Sequence, residues 1–256
     1  VDGAKLVELD LKNLAGLARV FSENKIDGVM HFAASIVVSE SVADPVKYYR
    51  NNVAASANLI EQCVDCGVRA FIFSSTAAVY GIPPDILVDE DTPLAPINPY
   101  GSSKLMVEWM LRDVGAADSM RYVCLRYFNV AGADRQLRAG QHATGSGHLI
   151  STACDAALTG SYRMQVFGSD YETPDGTCVR DFIHVSDLSS AHVQALRYLL
   201  DGGQSTILNV GYGRGHSVRE VIAAVEQASG HPFVVELTDR RAGDPPALIA
   251  ATDRIR

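Results

Sequence analysis

The chain has 256 residues, 47% of them hydrophobic and 20% charged, with a formal net charge of −8 and a pI near 5.3. That length holds one large α/β domain or two smaller ones around a sizeable core, and an acidic chain without a long basic run lacks the electrostatic footprint of a nucleic-acid or anionic-membrane binder. No apolar stretch approaches the roughly 18 residues that cross a bilayer, and VDGAKLVELD lacks the blocks of a signal peptide, so a cytoplasmic location is expected.

Strand-like and helix-like runs alternate along the first half. KLVELDL reads as a strand and NLAGLARVFSENK as a helix; DGVMHFAA as a strand and PVKYYRNNVAASANLIEQCVDCG as a helix; RAFIFSS as a strand, PYGSSKLMVEWMLRDVG as a helix and RYVCLRYFNV as the next strand. That order is the pattern of βαβ units, and strands that are apolar on successive positions need cover on both faces. An α/β fold with a doubly wound parallel sheet follows. After Asn129 the texture changes: ADRQLRAGQHATGSG is polar and rich in glycine, and the helix HLISTACDAALTG and the short strand RMQVFG follow. DFIHVSDLSSAHVQALRYLL and TILNVGYG then resume the earlier style, before HSVREVIAAVEQASG and FVVELTDRR. A main domain over residues 1–128 and 180–213 and a smaller α/β region over 129–179 and 214–256 are predicted, with no internal repeat.

Cys63, Cys66, Cys124, Cys154 and Cys178 are odd in number and scattered through a chain too large to need staples, so reduced thiols are expected. Cys63 and Cys66 form a CxxC at the end of a helix pattern, the wrong terminus to stabilise a thiolate, and read as buried structural residues. No metal site is expected.

Open α/β sheets bind ligands beyond the carboxyl ends of their strands. There lie His31, then Ser74, Ser75 and Thr76, then Phe128 and Asn129. The helix that opens at NPYGSSKLMVEW follows the strand ending at Thr76. One helical turn separates Tyr100 from Lys104, so both can point into a common site, with Asn98 as cap and Pro99 in the first turn. Leu105, Val107, Met110 and Leu111 supply an apolar side, and a plain surface helix would carry the same pattern.

SSTAAVYG, NPYGSSKLMVE, RYFNVAGA and VRDFIHVSDL, in this order and spacing, resemble the extended short-chain dehydrogenase/reductase family. HFAASIVVSESV, YYRNNV, HLI, VFGSDYETPDGT and DRRAGDPPALIA extend the likeness over nearly the whole chain. The resemblance implies a Rossmann-like NAD-binding domain and a nucleotide-sugar region. It also implies a reaction in which tightly bound NAD takes a hydride from C4 of a UDP-hexose and returns it to the opposite face of the ketone. It makes Tyr100 the acid/base, Lys104 the cation that favours its phenolate, and Thr76 a hydrogen-bonding partner of the reacting hydroxyl; a free tyrosine, with a pKa of about 10, needs such help at neutral pH.

For NAD, the resemblance places Asp10 and Leu11 against adenine, Phe32, Ala33 and Ala34 along the dinucleotide, and Asn51, Tyr100, Lys104 and Phe128 at the nicotinamide end. For the UDP-sugar it carries over Asn129, His148, Leu149, Val166, Phe167, Arg180, Arg241 and Asp244; arginine forks suit a diphosphate, although Arg180 beside Asp181 also reads as a surface ion pair. His31 is expected to be structural, Ser74 and Ser75 to close a turn, and Tyr80 to pack. Ile36 stands where some relatives have lysine, and His148 where asparagine is common. Leu248 replaces a bulky tyrosine found in part of the family, which implies room for an N-acetyl group on the sugar.

The family's first βαβ unit, with its glycine-rich turn, is not found ahead of KLVELDL, and TDRIR opens a helix pattern and stops. A fragment of an active enzyme is the favoured expectation over a non-catalytic nucleotide-sugar-binding chain. A 4,6-dehydratase would place Asp-Glu after the threonine, where this chain has Ala77 and Ala78. The family tends to pair through two long helices, and the runs from Pro45 and Pro99 are long enough to form that contact, so the resemblance implies a homodimer.

Overall fold

The computed structural model describes residues 3–141, 147–241 and 244–256. Part of the glycine-rich stretch after Asn129 and two residues of DRRAGDPPALIA lie outside the described residues.

In chain order the elements are α1 (Leu14–Glu23), β1 (Gly28–His31), α2 (Val38–Ala43), α3 (Pro45–Tyr48), a π-helical segment (Tyr49–Ala54), α4 (Ala55–Asp65) and β2 (Ala70–Thr76). A 3-10 turn (Ala77–Tyr80), β3 (Leu87–Val88), α5 (Pro99–Ala117), β4 (Arg121–Tyr127) and β5 (Asn129–Ala131) come next. The chain continues with α6 (Leu149–Leu158), β6 (Arg163–Phe167), β7 (Val179–His184), α7 (Val185–Leu200), β8 (Thr206–Val210) and β9 (Gly215–Ser217). Last come α8 (Val218–Ser229), β10 (Val234–Thr238) and β11 (Ala247–Ala250).

The fold is α/β and Rossmann-like. One sheet has the order β1-β2-β4-β8, with β1 parallel to β2 from Gly28 opposite Ala70 to His31 opposite Phe73. Every residue of β2 is buried, as the unbroken apolar run AFIF requires when both faces are covered.

The chain forms two compact units. The first comprises Val1–Ser75, Pro99–Cys124 and Gln194–Thr206. Its α1 is capped by Asn13, whose side chain accepts from the Gly16 N–H, and α3, the π segment and α4 run on as one helical stretch from Pro45. The second comprises Thr76–Asn98, Leu125–Val193 and Ile207–Arg256. It holds the parallel pair β10-β6 and the set β3-β11-β7-β5, with β9 antiparallel to β7. Ala153 and Ala156 of α6, Met164 and Val166 of β6, Ile222 of α8 and Phe233 form one of its cores. A capping box between Ser217 and Glu220 starts α8, and Gly230 ends it in the left-handed conformation.

Three local expectations change. KLVELDL is not a strand; Leu6 is 92% exposed, and a strand without a paired neighbour or a buried side has nothing to hold it. TDRIR forms a turn rather than a helix. The five cysteines are free, and burial pushes the Cys63 thiol up to about 12, helped by Cys66. Cys66, expected to be buried with it, is exposed because it is the C-cap of α4.

Candidate active site

Proline suits the first helical position because its missing N–H would find no partner there, and α5 starts at Pro99. Tyr100 and Lys104, one turn apart, both face inward; Tyr100 is buried and Lys104 is only 2% exposed. Lys104 Nζ donates to the Ser74 carbonyl at 2.8 Å and stands 4.9 Å from the centroid of the Phe73 ring. Burial disfavours the ammonium and lowers its pKa to about 8, while the Glu108 carboxylate one turn further along α5 opposes the shift. Glu108 is buried as well and accepts from Ser75 Oγ. Ser74 and Ser75 thus do more than close a turn: one supplies a main-chain acceptor to Lys104, the other a hydroxyl to Glu108.

A second network holds the loop after β1. Asn52, buried in the π segment, accepts from Ser35 N at 2.8 Å and donates to Ser35 O and Ser103 Oγ, each at 3.0 Å. Asn51 Nδ2 donates to Ser35 Oγ at 3.1 Å, and Ser103 Oγ donates to the Tyr100 carbonyl at 2.7 Å. The loop and the first turn of α5 are therefore tied to one π-helical segment, whose two consecutive asparagines meet one serine. Sequence reading singled out Asn51 and passed over Asn52, Ser35 and Ser103.

His31 Nε2 lies 2.7 Å from Ser56 Oγ, which itself donates to Asn52 O. Ser56 must then accept from the ring, which assigns the proton to Nε2. Burial first, then the Lys104 charge, lower its pKa to about 4, so the imidazole stays neutral. Phe32 and Ile36 on the following loop are exposed. Asp10 is exposed too; the Lys12 main-chain N–H, chiefly, holds its carboxyl below the usual range. Leu11 O accepts from Asn58 Nδ2 at 3.1 Å.

In the second unit Thr76 Oγ1 accepts from Ala78 N at 3.2 Å and so caps the 3-10 turn. Tyr80, at the end of that turn, is more than packing. Its hydroxyl donates to Asn209 Oδ1 at 2.6 Å and accepts from the buried Arg126 at 3.1 Å. Burial raises its pKa to about 12 despite the arginine. Phe128 is buried, with its N–H on Val210 O; Asn129 and His148 are exposed, His148 as the N-cap of α6 without a side-chain cap bond.

Arg180 does not pair with its neighbour. Asp181 is fully buried and accepts from the N–H groups of Tyr212, Gly213 and Ala250 at 2.9, 2.9 and 3.2 Å. A Cβ on Gly211 would stand 2.5 Å from its Oδ2, so only glycine lets this backbone approach. Arg180 Nη2 instead lies 3.6 Å from Asp244 Oδ1, which brings two of the expected substrate residues together. Arg241 and Phe167 also meet, guanidinium carbon to ring centroid 3.7 Å. Val166 is buried in the core of α6, α8 and β6 and Leu149 packs against it, so their side chains are spent there. Leu248 is buried in β11, in register with Arg180.

In this α/β fold Tyr100 and Lys104 are buried one turn apart on α5, an arrangement in which an ammonium on the same helix face can favour a phenolate. The chain belongs to the NAD dependent epimerase/dehydratase family, whose model matches residues 1–211. It is 55% identical over 251 residues to the UDP-glucose 4-epimerase of Azospirillum brasilense, covering 98% of this chain and 72% of that protein. It is similar to the solved UDP-Glc/GlcNAc 4-epimerase from Campylobacter jejuni, at 49% identity and a TM-score of 0.85 over 100% of this chain and 78% of that one. The UDP-glucose 4-epimerase from Bifidobacterium longum in complex with NAD+ and UDP gives 41% identity and a TM-score of 0.90 over 97% of this chain and 75% of that one.

Proposed function

We propose that the chain is a UDP-glucose 4-epimerase: it interconverts UDP-glucose and UDP-galactose through a transient 4-keto sugar, with NAD as cofactor. The observation that carries this is the buried Lys104 ammonium one helical turn from Tyr100, in a chain 55% identical to a curated enzyme of that name. The donor set suits NAD, because among the described residues Lys104 commits one of three N–H groups to Ser74 O, which leaves two for uncharged ribose hydroxyls. When bound, NAD supplies the hydride acceptor and donor for C4. Tyr100 removes the proton from the C4 hydroxyl and returns it; the Lys104 charge stabilises the phenolate that forms, and Thr76 Oγ1 orients the hydroxyl.

NAD is assigned to residues 1–128 and 180–213, through Asp10, Leu11, Phe32, Ala33, Ala34, Asn51, Tyr100, Lys104 and Phe128. The UDP-sugar is assigned to 129–179 and 214–256, through Asn129, His148, Leu149, Val166, Phe167, Arg180, Arg241 and Asp244, with Leu149 and Val166 offering their backbone. Among the described residues no helix is long and apolar enough to cross a membrane; a cytoplasmic location is part of the proposal. Homodimerisation is part of the same proposal.

Replacing Tyr100 with phenylalanine is expected to lower turnover of UDP-galactose at least about 100-fold in a coupled assay, the scale of a lost general acid/base. Undiminished turnover would reject the assignment. Leu248 in place of a tyrosine supports acceptance of UDP-N-acetylhexosamine, and the same assay with the acetylated sugar should show turnover; none would confine the enzyme to plain hexoses.

A further inference from the structure

Arg180, Arg240 and Arg241 lie in the second unit, each held differently. Arg180 faces the Asp244 carboxylate. Arg240 donates through Nε to Asp170 Oδ1 at 2.7 Å and through Nη2 to Asp170 O, and its guanidinium lies 4.3 Å over the Tyr171 ring. Arg241 is exposed, and among the described residues its guanidinium has neither a carboxylate nor a carbonyl partner; its contact is the Phe167 ring, at 3.7 Å.

The strand ends beside this contact are joined through the backbone. Thr238 O accepts from Gly168 N at 2.9 Å, and Gly168 has φ +81°, where an added Cβ would stand 2.4 Å from the Tyr171 ring and 2.8 Å from Arg240 Cγ. Arg240 is tied to the loop after Phe167 through Asp170, and Arg241 is not. A guanidinium carbon 3.7 Å from the ring centroid covers the kind of aromatic surface on which a nucleobase stacks.

We infer that Arg241 is an internal occupant of the base platform, exchanged when nucleotide binds: uracil takes the Phe167 ring face, and the displaced guanidinium turns to the diphosphate. This rests on the nucleotide-sugar reading of the site. It makes Arg241 a specificity residue, because a nucleoside must displace the guanidinium without giving it a new partner, whereas a nucleoside diphosphate replaces a ring contact with charge-assisted hydrogen bonds.

The consequence is a reversal of sign between two ligands, measurable by titration calorimetry with uridine and with UDP. Arg241→Ala should bind uridine about two- to fivefold more tightly, the worth of an exposed cation–π contact, and UDP about tenfold or more weakly. Arg241→Gln, which keeps a polar side chain of similar reach, should show the same reversal and guards against a folding defect in the alanine variant. Uridine affinity unchanged or weakened in both variants, with UDP weakened, overturns the exchange while leaving the nucleotide site standing. A parent protein that does not bind UDP overturns both.

Discussion

Lys104 carries its charge where charge is costly, and that sets a pH window. Burial lowers its pKa to about 8, so the ammonium is present below that value and lost as the pH rises through it. The expected outcome is a decline of kcat/KM on the alkaline side with an apparent pKa near 8, a property of the Tyr100–Lys104 pair rather than of either residue. Lys104→Met should cost on the order of 100-fold in activity and abolish that limb; a limb that persists assigns the titration to another group. The pair was legible in the sequence because i and i+4 share a helix face whatever the fold. Asn52 was not, since its partners Ser35 and Ser103 stand 17 and 51 residues away along the chain. For the same reason the sequence could not show that Arg180 faces Asp244 rather than its neighbour Asp181.

Among the elements, α4 and α5 bear on assembly. Ala57, Ile60 and Val64 of α4 and Met110 and Val114 of α5 line a shallow, largely apolar groove, and Trp109 on α5 is 46% exposed. Side chains of this kind on paired helices are what a helical dimer contact buries. Light scattering should return twice the 27.5 kDa of one chain, and Met110→Asp should shift the parent's mass toward that of one chain. A monomeric parent counts against the dimer. The helices from Pro45 and Pro99 were legible from their period, and β2 and β4 from their apolar runs. Short strands such as β3, β9 and β11 were not, since two to four residues carry too little pattern; KLVELDL had the pattern and no neighbour.

At the scale of the whole molecule, His31 links stability to acidity. Its folded pKa of about 4 lies below the ordinary 6.5, so between those values the unfolded chain binds the extra proton and stability falls as pH drops. The loss across that window is on the order of 3 kcal/mol. Denaturant midpoints measured from pH 7 to pH 4 should fall less steeply for His31→Gln than for the parent; equal slopes would place the acid sensitivity in other groups. By itself the sequence determined the α/β alternation, the helix phase that pairs Tyr100 with Lys104, and the motifs that identify the family, because period and spacing are local properties of a chain. Only the tertiary structure decided that Lys104 is buried against Phe73 and Ser74, that Asp181 is spent on backbone N–H groups, and that Arg241 lies on Phe167. Burial and hydrogen-bond partnership depend on residues far apart in the chain, and folding is what brings them within reach.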